Sequence, residues 1–583
     1  MKLRNVILHK PFLFFYFFIF YSSVSAQIFS PKNYPQGYFA YPVGTAAVAL
    51  SANFGELRPN HFHMGLDCKT DKKTNLPVYA AAEGYIAKVK VEPMGFGRAI
   101  YINHPNGLTT VYAHLNDFFP DLEKYVKEQQ YKQELWNIFI DIPINVFPVI
   151  KGDFIAYSGN SGGSQGPHLH FEIRDTRTDK VLNPLLFGLP VKDNIPPSIL
   201  RLAVYDRCVS TYNQSPKIFS LKYVNGIYVP TSSFIIVNTD RVSFGISAFD
   251  KYTGSTNNNG IYEAGLYDNN QPVIGFQLDS ISYDETRYMN AHIDHKLKLN
   301  GGSYIEHLSR LPGYPEGIYR EISGDGVIAL EDDSAHHIKI VVKDTYGNAS
   351  TMQFQIKRGV IKETRPVKDS LSYFEQTAFH PGFINVFEKD DIQLIIGEHD
   401  LYDSIRLAYA KKASPSPQVI SNVHIVHTAL VPVHGYFTIR LKSTMVIPDS
   451  LKDKIVMQQS WGGKTEVAKP KQEGDWFTAQ FRNFGNFQLV IDDIPPAVIT
   501  LGIRENANLS RIPQIVFAIR DNNEKIKDFR AELDGKWLRF TNDKERSFIY
   551  KFDEMCPPGD HELKIIVQDE AGNITTKIFH FKR

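Results

Sequence analysis

The stretch SQGPHLHFEIR, Ser164–Arg174, places two histidines, His168 and His170, one residue apart inside an apolar run. On a strand, residues two apart point to the same face. Both imidazoles therefore look into one space, which is a poor way to build a core and a good way to build a metal site. Any fold for this chain has to set a polar pocket against that strand. Further histidines and a carboxylate lie upstream in glycine-rich or apolar surroundings. NHFHMGLDC holds His63 and Asp67 four residues apart, and VYAHLND holds His114. Gly65, between His63 and Asp67, argues for a strand or turn there rather than a helix. Zinc takes histidine nitrogen and carboxylate oxygen, and a catalytic site uses three protein ligands. Two histidines and one carboxylate suit that arrangement, which leaves two histidines free to move protons or stabilise developing charge.

The surroundings of these residues are β-patterned. LPVYAAAEGYIAKVKVE, GRAIYINHPNG and LTTVYAHL read as successive strands and tight turns. One segment differs: DLEKYVKEQQYKQELW, residues 121–136, has helical composition, with apolar Leu122, Val126, Leu135 and Trp136. It is expected to be an amphipathic helix inserted in a β domain.

With 583 residues the chain is too long for one core, and roughly three to five domains are expected. Hydrophobic residues make up 43% and aromatic residues 13%, a β-leaning globular composition. The net charge of +1 gives no electrostatic reason to expect a nucleic-acid partner. DNIPPSI from Asp193 and DDIPPAV from Asp492 each open a β-patterned segment, and VVKDTYGNAST and IVQDEAGNITT each close one. A double proline at the start and a D-x-x-G-N turn before the last strand look like bacterial immunoglobulin-like sandwiches. The expected organisation is a leader, 1–26; an N-terminal β domain, 27–190, with its helical insertion near 120–140; a β-sandwich, 191–358, with an insertion near 250–330; a β-rich domain, 359–490; and an Ig-like β-sandwich, 491–583.

Lys2, Arg4 and Lys10 precede the apolar run PFLFFYFFIFY and then Val24-Ser25-Ala26. This pattern predicts a secretory signal peptide cleaved after Ala26. The run is short for a membrane span, which needs about 20 residues, and no other segment is long and apolar enough, so no transmembrane segment is expected in the mature chain. Export to the periplasm or cell envelope follows. Cys68, Cys208 and Cys556 lie far apart, without a CxxC pair, so neither a disulfide scaffold nor a cysteine metal site is expected.

The succession H-x-x-x-D, Y-x-H-L and G-x-H-L-H-F-E, carried here by HMGLD, VYAHL and GPHLHFE, resembles the lysostaphin/LytM-type zinc endopeptidases (metallopeptidase family twenty-three), which cut peptidoglycan peptides. LPVYAAAEGYI, GFGRAIYINHPNG and VIKGDFIAYSGNSG follow in that family's order, over about residues 40–185. The resemblance implies a mostly antiparallel β fold with a groove across the sheet. It implies Zn²⁺ on His63, Asp67 and His170, with His114 and His168 as catalytic histidines; which of the two is the base stays open. It also implies an exported endopeptidase acting on peptidoglycan stems or cross-links. Two alternatives are a non-catalytic envelope adaptor or activator of other wall hydrolases, and a zinc protease acting on an envelope protein; the C-terminal β domains are expected to offer a surface for an envelope protein partner. His61 is expected at the rim, and His104 to be structural. Control of such an enzyme is expected from the 121–136 insertion or from docking of a sandwich domain.

Overall fold

Along the strand His168–Asp175, Leu169, Phe171 and Ile173 alternate with His168, His170 and Glu172. The three apolar residues are fully buried on the core face, each contributing about 1.5–3 kcal/mol on burial. The polar three are left on the opposite face. In this computed structural model, which describes residues 28–44, 48–331, 334–359, 375–545 and 547–583, that strand lies inside the N-terminal sheet. The expected leader, residues 1–26, lies outside the described residues. Leu66–Lys69 flanks the strand on one side and Leu108–Ala113 on the other, both antiparallel. The sheet continues through Arg98–Asn103, Gly84–Val91 and Ile138–Asp141. In Gly84–Val91, Val89 and Val91 are buried while Lys88 is exposed. A register shift between Ile86 and Lys88 marks a bulge that restores this alternation. A second sheet of Pro77–Tyr79, Phe154–Ser158 and Leu115–Phe118 shares the same apolar cluster through Val78, Ile155 and Leu115.

The helix runs Pro120–Gln133, with Pro120 in its first turn, Asp121 and Glu123 at its positive end and Lys132 near its negative end. Leu122 and Val126 are buried in the N-terminal core. The helix is shorter than the expected 121–136. Glu134 takes a left-handed conformation, φ 51°, and ends it. Leu135 is then left half exposed, and the Trp136 carbonyl accepts a bond from Gln130 Nε2.

The rest of the chain is β throughout. Ser198–Asp206, Arg241–Phe249, His336–Lys343 and Ala349–Arg358 belong to a twelve-stranded system. The stretch 250–330, expected as an insertion, does not stand apart from it. Glu263–Asp268 and Gln271–Gln277 are interior strands pairing with each other and, through the first, with His336–Lys343. Ser280–Ile281 pairs with Val181–Leu182 and so extends the N-terminal sheet. Two further sheets span Glu375–Phe379 to Gly485–Ile491. One apolar cluster runs through this part and the preceding one, joining Phe62, Phe276 and Leu407. The last strands, from Ala497–Thr500 to Ile574–Lys582, enclose a cluster of their own. The three cysteines are free. Among the described residues no helix is long and apolar enough to cross a membrane.

Candidate metal centre

Strand register assembles the site. His170 lies directly opposite Asp67 on one neighbour and Ala113 on the other, and cross-strand partners share a face. His63 sits in the turn before Leu66–Lys69. His63 Nε2 lies 2.9 Å from Asp67 Oδ1 and 3.1 Å from His170 Nδ1, and His170 Nδ1 lies 3.1 Å from Asp67 Oδ1. All three residues are buried. Gly65 makes room for this: a Cβ there would meet Phe171 O at 2.5 Å and the His170 ring at 2.9 Å.

The outer nitrogens of both rings are already committed. His63 Nδ1 donates to the Asn53 carbonyl at 2.7 Å, and His170 Nε2 donates to Glu172 Oε1 at 2.9 Å. In the neutral rings the inner nitrogens then carry lone pairs aimed, with a carboxylate oxygen, at one point. Three converging lone-pair donors fit a divalent metal, and outer bonds of this kind fix the tautomer of metal-binding histidines. Electrostatics agree. Burial alone would raise the Asp67 carboxyl, but its electrostatic interaction with His63 and the bonds from His168 and His170 hold it well below the usual range. Burial would lower His170, yet its bonds to Asp67 and Glu172 lift it to about 9 in the metal-free chain. Glu172 is fully buried, which alone would raise its carboxyl, but the adjacent Arg174 guanidinium, together with His170 and the Tyr283 hydroxyl, holds it down to about 2.

The other two expected residues are present at the same place. His168 Nε2 lies 3.3 Å from Asp67 Oδ1, and its Nδ1 donates to Gly166 O at 2.8 Å. The His114 ring is 4.8 Å from that of His168 and 5.8 Å from that of His170. His114 has φ 60°, a backbone conformation uncommon outside glycine and asparagine. Its Nδ1 donates to Ser161 O at 2.9 Å. Burial, then its histidine neighbours, push its pKa down to about 3, so the ring is neutral at ordinary pH. His61 stays out of the cluster, exposed, with Nδ1 on Pro59 O. His104 is buried and bonded to Glu83 O and Thr110 Oγ1. Outside the cluster, His292 is fully buried and paired with Glu306 at 3.1 Å.

Several contributors were not anticipated from the sequence. Glu172 is anchored by Arg174 Nε at 2.7 Å and by the Tyr283 hydroxyl at 2.5 Å. The two-residue period that joins His168 to His170 continues to Glu172 and Arg174, so the signal for these two was in the chain. Tyr283 comes from far downstream and had no such signal. Arg58 Nη2 reaches Asp67 Oδ2 at 3.6 Å. Replacing Glu172 by glutamine keeps its shape and removes its charge, and it is expected to weaken metal binding about 10–100-fold. Competition with a chelator of known affinity measures this, and unchanged affinity would show that the carboxylate only packs.

The C-terminal sheets reach the rim of the site. Asp543 Oδ1 accepts from Gly162 N at 2.8 Å, Lys544 N donates to Pro93 O at 2.7 Å, and Lys544 Nζ donates to Ser164 O. This grips the loop whose Ser161 carbonyl orients His114. The helix Pro120–Gln133 is part of the same contact. Lys127 pairs with Asp553 at 2.7 Å, Gln130 Oε1 accepts from Arg539, and Tyr131 stands edge-on to Trp537. The inserted helix is thus a seat for the last β domain.

Comparison with known proteins finds similarity over parts of the chain. Residues 61–131 match the model of Peptidase family M23, and residues 376–492 match that of a Zu5-like domain. A protein of Haemophilus influenzae described as an uncharacterized metalloprotease is 35% identical over 136 residues, 23% of this chain and 22% of its own length. The DD-carboxypeptidase/endopeptidase Mpg of Neisseria meningitidis is 28% identical over 171 residues, 29% of this chain and 30% of its own. The chain thus spans less than a third of either relative. The catalytic domain of the prophage-encoded M23 protein EnpA from Enterococcus faecalis has 23% identity, covering 26% of this chain and 99% of that one, with a TM-score of 0.19.

Proposed function

Because its N-terminal part is a Peptidase family M23 domain, we propose that the chain is an exported zinc-dependent endopeptidase that hydrolyses peptide cross-links or stems of peptidoglycan. The observation that carries this reading is the convergence of His63 Nε2, Asp67 Oδ1 and His170 Nδ1 with their outer bonds already made. These three residues would hold the zinc. The chemistry zinc supplies at such a site is Lewis acidity toward a carbonyl and a water. His168, with Nδ1–H tied to Gly166 O, turns Nε2 toward Asp67 and takes the proton of the attacking water there, where the Asp67 carboxylate stabilises the charged ring. His114, oriented by Ser161 and held neutral with its ring 4.8 Å from that of His168, takes that proton over from His168 and delivers it to the leaving amine, which returns both rings to their starting state. Relatives named as peptidoglycan DD-endopeptidases, among them ShyA and ShyB of Vibrio cholerae, support the substrate class.

The test is muropeptide mass spectrometry of purified sacculi digested by residues 27–583, with His170→Ala as control. Zinc-dependent loss of cross-linked species, absent in the control, supports the proposal, and the fragments name the bond. A zinc-loaded chain that leaves sacculi intact would overturn it and favour an envelope protein as substrate.

A further inference from the structure

Away from the histidines, a second group of carboxylates comes together. Asp193, Asp250 and Asp344 each offer an oxygen, all lying within 4.8 Å of one another. Asp193 opens DNIPPSI just after the N-terminal domain, Asp250 follows the strand Arg241–Phe249, and Asp344 opens the turn between His336–Lys343 and Ala349–Arg358. Asp250 is 2% exposed and Asp344 3%. Among the described residues none of the three forms a salt bridge. Asp344 is satisfied by the backbone amides of Tyr346 and Asn348 and by the Asn348 side chain. Asp250 Oδ1 and Asp193 Oδ2 are buried with no donor.

A second, neutral oxygen points to what fills the gap. Asn259 is 3% exposed, and its Oδ1 also has no donor. Asp250 and Asn259 exchange both backbone hydrogen bonds, at 2.9 and 2.8 Å. They are therefore directly opposed, with side chains on the same face. Burying carboxylate and amide oxygens without donors is costly. Burial, then Asp193 and Asp344, push the Asp250 carboxyl up to about 8. A cation among these oxygens removes both penalties.

The C-terminal β domain carries the same framework solved differently. Asp492 opens DDIPPAV, Asp521 follows the strand Gln514–Arg520, and Asp569 closes Asp560–Asp569 before its turn. There, side-chain amides reach Asp492 and Asp569, and of the three aspartates only Asp521 keeps a buried oxygen, Oδ1, with no donor. Asn522 Nδ2 donates to Asp492 Oδ1 at 3.0 Å, Asn523 Nδ2 to Asp492 Oδ2 at 2.5 Å, and Asn573 Nδ2 to Asp569 Oδ2 at 2.8 Å. At the positions of Asn522 and Asn523 the earlier unit has Lys251 and Tyr252. Lys251 lies over the Phe249 ring, and Tyr252 is buried in the N-terminal core. Neither side chain donates to the carboxylates, and Asp250 has only the Lys251 backbone amide.

We propose that Asp193, Asp250 and Asp344, completed by the Asn259 side-chain oxygen, bind a calcium ion at the junction between the N-terminal domain and the β domain that follows it. The donors are all oxygen, three of them anionic, which selects a hard cation over zinc. The ion would also brace the metal centre. The segment after Asp250 returns to the N-terminal domain, where Gly260 and Asn53 exchange hydrogen bonds at 2.8 and 2.9 Å. The Asn53 carbonyl is the acceptor that fixes His63.

Calorimetric titration of the full chain with CaCl2, together with thermal melts, tests this. The wild type and Asp521→Asn are expected to show one saturable site and a Tm that rises with calcium, since a ligand of the folded state stabilises it by mass action. Asp250→Asn and the more exposed Asp193→Asn are expected to bind at least about tenfold more weakly. Absence of saturable binding in the wild type up to millimolar calcium would overturn the proposal. So would unchanged binding in either variant. Equal affinity for Mg²⁺ would overturn the assignment to calcium. The Asp193→Asn arm decides the matter should Asp250→Asn fail to fold.

Discussion

Asp67→Ala is expected to abolish metal binding and hydrolysis together. Asp67 Oδ1 touches both metal-facing nitrogens and also His168 Nε2, so its loss removes one donor and leaves two histidines without their shared partner. Lewis-acid assistance is worth several kcal/mol, and activity should fall about 10³-fold or more. Metal content by mass spectrometry and turnover on sacculi check this, and full metal occupancy in an active Asp67→Ala chain would remove Asp67 from the ligand set. The same cluster predicts a pH dependence. His170 is held protonated up to about 9 in the metal-free chain by Asp67 and Glu172, and a metal must displace that proton. Metal affinity should therefore strengthen as pH rises toward 9 and weaken by about tenfold per unit below it. Titrations in buffers of different ionisation enthalpy would detect the released proton, and pH-independent binding without proton release would contradict the arrangement.

His114→Asn is the second large effect. Alanine would add backbone strain at φ 60°, whereas asparagine tolerates that conformation and can still reach Ser161 O. It cannot carry a proton. The expected outcome is a loss in kcat of about 10²–10⁴-fold, with metal content and KM near wild type, because His114 lies outside the three-donor group. A kcat within a few-fold of wild type would make His114 a structural residue of the rim.

Much of this site is local in origin and was therefore legible in the chain. The period of a strand puts His168 and His170 on one face, and the spacing across Gly65 keeps His63 near Asp67. The same period reaches Glu172 and Arg174, which were overlooked because a carboxylate one step beyond the histidines has no evident task until His170 Nε2 is seen to need an acceptor. The helix was legible by composition but its end was not. A single left-handed residue, Glu134, decides that end.

What the sequence by itself determined is which side chains share a face, where the β-patterned units begin and turn, and which residue types could meet a metal. These follow from backbone periodicity and turn chemistry, which act over a few residues. The tertiary structure alone decided who stands opposite whom. Tyr283 completes Glu172 across 111 residues, and Asp543 and Lys544 grip the loop behind His114 from about 380 residues away. It also decided that asparagine amides reach two members of one aspartate triad and leave only Asp521 Oδ1 without a donor, while its counterpart leaves Asp193 Oδ2, Asp250 Oδ1 and the neighbouring Asn259 Oδ1 without one. Such pairings are set by strand register and domain packing closed over long loops, and no local pattern in the chain carries that information.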